Sequence, residues 1–246
     1  MKITKTWIFT WLVFFGLLSC SDESSDQANT NTNTQVNTIM TLGASRVEGN
    51  RPQYESFRFE TWKQLIENDW SLDFIGTQRD PGAYPEIESI AFDPDHQGRS
   101  GWSSGDILEQ LESDLSAVDI PDVVLFSSPG GNDALQNLPY DEAVSNINEI
   151  IDILQEVNPY VIVIIEQMAP GRSDIMTQEL IYYFNELQNE VLTIVEQKST
   201  ATSRVIAVDM YTGFTDALLA DDVHYNTKGA MFIAQRYYEL LSEVLQ

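Results

Sequence analysis

Five short apolar runs alternate along the chain with segments of helical periodicity, and this alternation limits the folds that the sequence can adopt. The runs are rich in Val, Ile and Phe, and they occupy residues 38–42, 71–75, 122–127, 160–167 and 204–208. Continuously apolar strands are typical of a parallel sheet that helices cover on both faces. The helical segments lie at 54–68, 104–115, 141–157, 174–197 and 227–245. The sequence therefore predicts one three-layer α/β/α domain around a five-stranded parallel sheet.

The N-terminal segment has the features of an export signal. Two lysines precede an apolar run at residues 7–18, which is too short to span a membrane. The residues before Cys20 resemble a bacterial lipobox, which implies a signal peptide at 1–19 and acylation of Cys20; an ordinary signal with a chance cysteine is the alternative. Residues 20–37 are polar and predict a flexible tether, so the folded domain is expected at 38–246. We expect a lipid-anchored lipoprotein of the bacterial outer membrane or cell surface.

Composition excludes some partners and some sources of stability. The net charge of −25 leaves no basic excess to neutralise phosphates, so we expect no nucleic-acid partner. Cys20 is the only cysteine, so no disulfide can form within the chain. Stability must come from the core.

A serine stands where the first predicted strand ends. Gly43 stops the apolar run, and Ser45 follows two residues later, before a Gly/Asn/Pro-rich turn. The carboxyl ends of the strands form the edge at which an open α/β sheet exposes functional groups. A helix cap or a turn is the alternative role for a serine in this position. The interpretation therefore depends on partners elsewhere in the chain.

The chain holds two histidines as candidate bases, and each lies three residues after an aspartate. Context favours His224, because it follows the last predicted strand and directly precedes the final helix, at the functional edge of the sheet. His96 lies in a Pro/Asp/Gly-rich loop, where a solvated or loop-pinning histidine is expected. Asp221 is the predicted orienting acid for His224, and Asp222 is its competitor.

Two glycine-rich loops supply candidate donors for an oxyanion. Gly101 lies in a glycine-bracketed loop that leads into a helix, so backbone amides can face an anion there. Asn132 follows a Pro-Gly-Gly run after the third strand and offers a side-chain amide. Each loop taken alone is more typical of a turn without function. Combined with the serine and the histidine, the loops predict a site for acyl transfer.

These blocks resemble those of the SGNH hydrolases, also called GDSL-type esterases, and they follow the same order from residue 39 to the C-terminus. The resemblance implies a triad and an oxyanion hole formed by Ser45, His224, Asp221, Gly101 and Asn132, with the Ser45 backbone amide as one donor. Segments 73–77, 95–102 and 121–125 more narrowly resemble carbohydrate esterase family 3, the acetyl xylan esterases. That resemblance implies a flavodoxin-like fold and metal-free deacetylation of plant polysaccharides.

Two positions depart from the family pattern, and one aromatic residue has an open role. Ala44 replaces the usual aspartate of the nucleophile loop, while no triad member is lost. Arg46 replaces a usually apolar residue; we expect it to pair with Glu48, or to bind a uronate or sulfate of the substrate. Trp102 is a candidate for stacking on a sugar ring, although a place in the core or at its rim suits it better.

The combined expectation is a monomeric serine esterase that removes short acyl groups, above all O-acetyl, from polysaccharides or oligosaccharides. No cofactor is implied, and no metal either, because His96 with Asp93 and Asp95 gives only a weak donor set. The membrane is a partner only through the lipid anchor. The alternatives are a surface glycan-binding lipoprotein on an inactive esterase scaffold and an esterase acting on peptidoglycan or lysophospholipid.

Overall fold

A computed structural model describes residues 37–245 of the chain. The predicted signal peptide at 1–19, the predicted lipidation site Cys20 and the predicted tether up to residue 36 lie outside the described residues. Within 37–245, no helix is long and apolar enough to cross a membrane.

The five predicted strands are all present and pair in parallel, which confirms the predicted α/β class and its central sheet. Residues 37–245 contain seven strands. They are β1 (Asn37–Gly43), β2 (Leu72–Ile75), β3 (Gln78–Arg79), β4 (Asp95–Gly98), β5 (Val123–Phe126), β6 (Ile162–Gln167) and β7 (Val205–Asp209). The predicted strands are arranged in the order β2-β1-β5-β6-β7, so β1 lies inside the sheet.

The predicted number of five strands is wrong, because β3 and β4 extend the sheet. β4 pairs with the last two residues of β1, Leu42 and Gly43, beyond the point where the pairing of β2 with β1 ends. β3 then runs antiparallel to β4. Both strands are short and mostly polar, so they lack the apolar run that marks a buried strand in a sequence.

In the described part of the chain, seven α-helices connect and cover the strands. They are α1 (Ser45–Glu48), α2 (Arg58–Ile66), α3 (Ser104–Leu115), α4 (Gly131–Leu135), α5 (Tyr140–Val157), α6 (Gln178–Lys198) and α7 (Thr227–Val244), with a 3-10 turn at Asp216–Leu218. The predicted helix at 54–68 begins only at Arg58, because Glu55 pairs with Tyr225 in an isolated bridge. The α3 helix begins at a capping box in which Ser103 and Asp106 exchange hydrogen bonds.

Two apolar cores flank the sheet and give the three predicted layers. Alternate residues of one strand enter opposite cores: Ile39 packs with the face that α2 and α7 cover, and Met40 packs with the face that α3, α5 and α6 cover. All the β5 residues are buried. The rigid sheet therefore fixes the strand ends, from which the loops of the site extend.

Candidate active site

The carboxyl end of β1 places Ser45 at the functional edge of the sheet. Gly43 precedes it at a point where β1 and the end of β5 approach closely, since a Cβ atom at Gly43 would lie 2.8 Å from the Ser127 carbonyl oxygen. Ser45 begins the one-turn helix α1 directly after this close approach of the two strand ends. A larger residue than glycine would therefore push the serine out of place.

A cap at the start of α7 fixes the loop that carries the histidine. Asn226 Oδ1 accepts hydrogen bonds from the backbone N–H groups of Lys228 at 2.9 Å and Gly229 at 3.1 Å. His224 lies two residues before this cap, in the loop that returns to the sheet after β7. The predicted position of the histidine, between the last strand and the final helix, is where the structure places it.

Ser45, His224 and Asp221 form one continuous hydrogen-bonded chain. His224 Nε2 lies 2.9 Å from Ser45 Oγ, and His224 Nδ1 lies 2.8 Å from Asp221 Oδ2. An ionised Asp221 accepts the Nδ1–H of the ring, which leaves Nε2 as the acceptor for the serine hydroxyl. Residues 179 positions apart are thus joined in the geometry that activates a serine nucleophile.

The environment of Asp221 keeps it ionised. Partial burial alone would raise its pKa, but hydrogen bonds from the backbone N–H groups of Val223 and His224 and from the His224 ring outweigh burial and lower the pKa. Asp222, the competing carboxylate, instead forms an ion pair with Arg172. The structure therefore brings Asp221, and not Asp222, to the histidine.

The three predicted oxyanion donors are the backbone N–H groups of Ser45 and Gly101 and the side-chain amide of Asn132, and Asn132 lines the same cleft as Ser45. Within residues 37–245, neither the Ser45 nor the Gly101 backbone N–H has a hydrogen-bond acceptor. Gly101 has a φ of 81°, a left-handed conformation that favours glycine. Asn132 Nδ2 donates to the Trp102 carbonyl oxygen at 2.8 Å, which orients the amide, and one N–H of this group is left for a ligand.

An apolar cleft opens beside these groups. It encloses about 480 Å³ of empty space, part of it open to solvent, and Ser45 and Asn132 are among its lining residues. Its larger apolar side chains are Leu135, Met168, Met176, Phe184 and Val223. Such a lining suits an acyl chain better than a sugar, because it offers few hydrogen-bonding groups.

The prediction that Arg46 pairs with Glu48 is wrong, whereas a contact of Arg46 with the substrate stays a prediction, since Arg46 lines the cleft beside Ser45. Its side chain is buried, and Nε donates to the Val223 carbonyl oxygen at 2.9 Å while Nη1 donates to that of Ala169 at 2.8 Å. Further hydrogen bonds join it to Pro170 O and Ser128 Oγ. Glu48 instead accepts a hydrogen bond from the backbone of Ser100. Arg46 therefore ties the serine loop to the histidine loop.

We expect Arg46→Met to lower the free energy of unfolding by about 2–4 kcal/mol, because it leaves several buried carbonyl oxygens without donors. Urea unfolding of the two proteins measures the difference. Arg204→Met is the matched control, since Arg204 is exposed, and it should change stability by less than about 0.5 kcal/mol. Equal effects of the two substitutions would contradict the role of Arg46.

Two residues of the site gave no signal in the sequence. The Tyr54 ring stacks on His224 with ring centroids 3.9 Å apart and an interplanar angle of 13°, and it thereby holds the imidazole plane. Glu166, fully buried at the end of β6, accepts hydrogen bonds from the Ser128 backbone N–H and the Tyr237 hydroxyl, each at 2.7 Å. Burial raises the pKa of Glu166, although these hydrogen bonds oppose the rise.

The Trp102 side chain is partly buried against the core that α3, α5 and α6 cover, and the Arg99 guanidinium lies 4.3 Å from its ring centroid. One face of its ring is therefore covered by a protein cation. This position fits a rim aromatic, and stacking of a sugar on the ring stays a prediction. The contribution of Trp102 to the site is its backbone carbonyl, which orients Asn132.

The structure buries His96, so this side chain is not solvated. It lies on β4, is buried, and its Nδ1 accepts a hydrogen bond from the backbone N–H of Gly98 at 3.1 Å. Asp93, its proposed neighbour in a metal site, accepts hydrogen bonds from the backbone of Phe74 and Asp95. In the part of the chain from 37 to 245, no group of three or more His, Cys, Asp or Glu is arranged to hold a metal ion.

We expect His96 to make the protein less stable in acid. Burial, reinforced by the charges of Arg58 and Arg99, lowers the pKa of His96 to about 3 from 6.5. The unfolded chain thus binds a proton below pH 6.5 that the folded chain does not, so acid favours unfolding, by up to roughly 1 kcal/mol per pH unit. Urea unfolding between pH 7 and 4 should show a shallower decline for His96→Gln; identical declines would contradict this account.

A protein-family model and several solved structures are similar to this chain. The model of the GDSL-like lipase/acylhydrolase family matches residues 43–231. A carbohydrate esterase family 3 structure from Talaromyces cellulolyticus is 28% identical, with a TM-score of 0.73, over 85% of this chain and 98% of that one. The Clostridium thermocellum family 3 carbohydrate esterase is also 28% identical, with a TM-score of 0.68, over 86% and 98% of the two chains.

A third similar structure is a serine-to-alanine mutant of an acetyl esterase with acetate ion, 27% identical with a TM-score of 0.73, over 85% of this chain and 98% of that one. No curated protein sequence matches the chain. The family model covers most of the chain and the fold agrees with it. The chain therefore belongs to the GDSL-like lipase/acylhydrolase family, that is, the SGNH hydrolases, and is similar to carbohydrate esterase family 3.

Proposed function

We propose that this chain is a serine esterase that hydrolyses short acyl esters, in the first place O-acetyl groups on carbohydrate. The observation that carries the proposal is the chain of hydrogen bonds from Asp221 through His224 to Ser45, at 2.8 and 2.9 Å, beside the apolar cleft. Membership of an acylhydrolase family supports the reaction class.

In the proposed reaction, Ser45 Oγ attacks the ester carbonyl while His224 Nε2 takes the hydroxyl proton. Asp221 stabilises the imidazolium that forms. The backbone N–H groups of Ser45 and Gly101 and the Asn132 amide donate hydrogen bonds to the negatively charged carbonyl oxygen of the tetrahedral intermediate. Collapse of the intermediate expels the alcohol, which takes the proton from His224. Water, deprotonated by the same histidine, then attacks the acyl-enzyme. The second intermediate collapses to the carboxylic acid, and His224 returns its proton to the departing Ser45 Oγ.

The substrate class rests on the similar structures and on the cleft. The similar proteins are named as carbohydrate esterases of family 3 and as an acetyl esterase with acetate ion. The cleft next to Ser45 is apolar, as an acyl group requires. We therefore favour an acetylated polysaccharide or oligosaccharide over a peptidoglycan or lysophospholipid ester. The hydrogen-bonded triad argues against an inactive, glycan-binding scaffold, because binding alone does not need it.

The decisive measurement compares turnover of 4-nitrophenyl acetate with that of 4-nitrophenyl octanoate, followed by acetate release from acetylated xylan. We expect the acetyl ester to be preferred by at least about tenfold, because a similar structure is that of an acetyl esterase and a pocket discriminates by roughly tenfold or more per methylene. A preference for octanoate would move the function to a lipid esterase. Absence of turnover for both esters would favour the binding scaffold.

Lipid attachment at Cys20, and with it a place at the bacterial outer membrane or cell surface, is a proposal from the sequence alone. The expected result is that an alkyne-tagged fatty acid labels the wild-type chain in the bacterial cell and that Cys20→Ala removes the label. Equal labelling of the two proteins would contradict it. Urea stability of the folded domain should not change, because the polar residues after Cys20 predict a tether.

A further inference from the structure

A second cleft, with a different chemistry, begins at the other side of the histidine. We call it the polar groove; it is lined mainly by Asn50, Arg51, Tyr54, Gln78, Arg79 and Ser100 and encloses about 700 Å³ of empty space. Guanidinium, amide and hydroxyl groups line it together with the carboxylates of Glu48 and Asp80, in contrast to the apolar cleft beside Ser45.

Two residues connect the polar groove to the candidate active site. Tyr54 stacks on His224 and also lines the groove. Ser100 lines the groove as well and directly precedes Gly101, one of the proposed oxyanion donors. The Tyr54 hydroxyl and Ser100 Oγ lie 3.5 Å apart, so they mark the end of the groove that is nearest the triad. The groove therefore lies on the Tyr54 side of the His224 ring, next to the triad.

In the proposed reaction, the acyl half and the alcohol half of the ester lie on different sides of Ser45. His224 returns its proton to the oxygen of the leaving alcohol, so this oxygen must lie beside the imidazole. The acyl carbon, bound to Ser45, faces the oxyanion donors and the apolar cleft. The alcohol half of the substrate thus leaves on the side that Tyr54 borders, toward the polar groove.

We propose that the polar groove binds the sugar units that neighbour the acetylated sugar, so that the protein acts on chains rather than on single sugars; this proposal rests on the proposed function. Arg79 is 72% exposed at its side chain and makes one hydrogen bond, to Asp95 at 2.9 Å. Arg51 has one ion-pair contact, with Glu55 at 3.5 Å. Their other N–H groups are donors for sugar hydroxyls, and Gln78 adds an amide.

The test uses O-acetylated xylose or mannose and the corresponding O-acetylated oligosaccharides of two and four sugar units. The readout is kcat/KM for acetate release. Wild type should gain at least about tenfold from one unit to four, since a few hydrogen bonds of ordinary strength give that factor. The double variant Arg51→Ala/Arg79→Ala should lose most of this gain. Its kcat/KM for 4-nitrophenyl acetate, which carries no sugar, should stay within twofold of wild type.

Two controls locate the effect. Arg204→Ala removes an exposed arginine remote from the groove and should leave the length dependence unchanged. Tyr211→Ala alters a different cleft, which shares Gly171 and Met176 with the apolar cleft. Loss of the length dependence in Tyr211→Ala, together with its retention in the double variant, would place the sugar chain there and overturn the proposal.

The remaining outcomes separate this proposal from the proposed function. A wild-type protein that turns over 4-nitrophenyl acetate in a Ser45-dependent way, yet shows no dependence on chain length, retains the esterase function and overturns the groove proposal. A wild-type protein that turns over none of these esters overturns the proposed function, and the groove proposal falls with it.

Discussion

Replacing Ser45 with alanine is expected to lower kcat/KM for 4-nitrophenyl acetate by at least about 10⁴-fold, because the proposed reaction loses its nucleophile. The residual rate would come from the oxyanion donors and from binding alone. Ser45 Oγ has one hydrogen bond within residues 37–245, to His224 Nε2. Its removal therefore takes little from the fold, and the thermal unfolding midpoint should stay within a few degrees of wild type.

A second serine in the same cleft is the matched control. Ser128 lines the cleft, but its hydroxyl contacts Arg46 and Glu166 and no histidine. Ser128→Ala should therefore lower kcat/KM by less than about tenfold, through a small loosening of the Arg46 contacts. Mass spectrometry after a short reaction with wild type should find the acyl group on the peptide that contains Ser45. A Ser45→Ala protein that keeps a tenth of the wild-type activity would refute the assignment.

The main elements of the fold are predictable because their signals are local. The residues of β5 form a continuously apolar run, and the structure buries all of them. The spacing of Ile147, Ile150 and Leu154 predicts one buried stripe, and these side chains are buried in α5. Such patterns arise because apolar residues recur at the positions that are buried on one or both faces of an element, and this recurrence is visible in the sequence.

The elements that the sequence does not predict depend on tertiary contacts. β4 is held by the end of β1, where Gly98 pairs with Gly43, and nothing in its own polar residues marks a strand. His96 is buried for the same reason, so the expectation of a loop histidine fails. Propensity and pattern are weak guides where long-range pairing decides the conformation.

The site shows the same division between local and distant information. A position just after a strand predicts that Ser45 reaches the functional edge, and the structure places it there. Tyr54 meets His224 only because the chain returns to the first loop after β7, so its stacking has no local signal. The acceptors of Arg46 are backbone carbonyl oxygens of distant loops, and no residue near Arg46 in the sequence indicates them.

Asp221→Asn should lower kcat/KM for 4-nitrophenyl acetate by about 10⁴-fold, although it changes the shape of the side chain very little. The asparagine amide can donate to Nδ1, which places the ring proton on Nε2, the nitrogen that must accept the proton of Ser45. It also removes the negative charge that stabilises the imidazolium. The backbone N–H groups of Val223 and His224 can still donate to the side-chain oxygen, so the loop should remain in place.

Asp222→Asn provides the matched comparison, since it makes the same change one residue away. Asp222 contacts Arg172 in an ion pair whose two side chains are 54% and 39% exposed, and exposed pairs of this kind contribute little to stability. We therefore expect kcat/KM within about threefold of wild type. Equal losses in the two variants would mean that the charge of the loop, and not a hydrogen bond to one carboxylate, supports the histidine. A large loss for Asp221→Asn alone would assign the orienting role to the carboxylate that lies 2.8 Å from Nδ1.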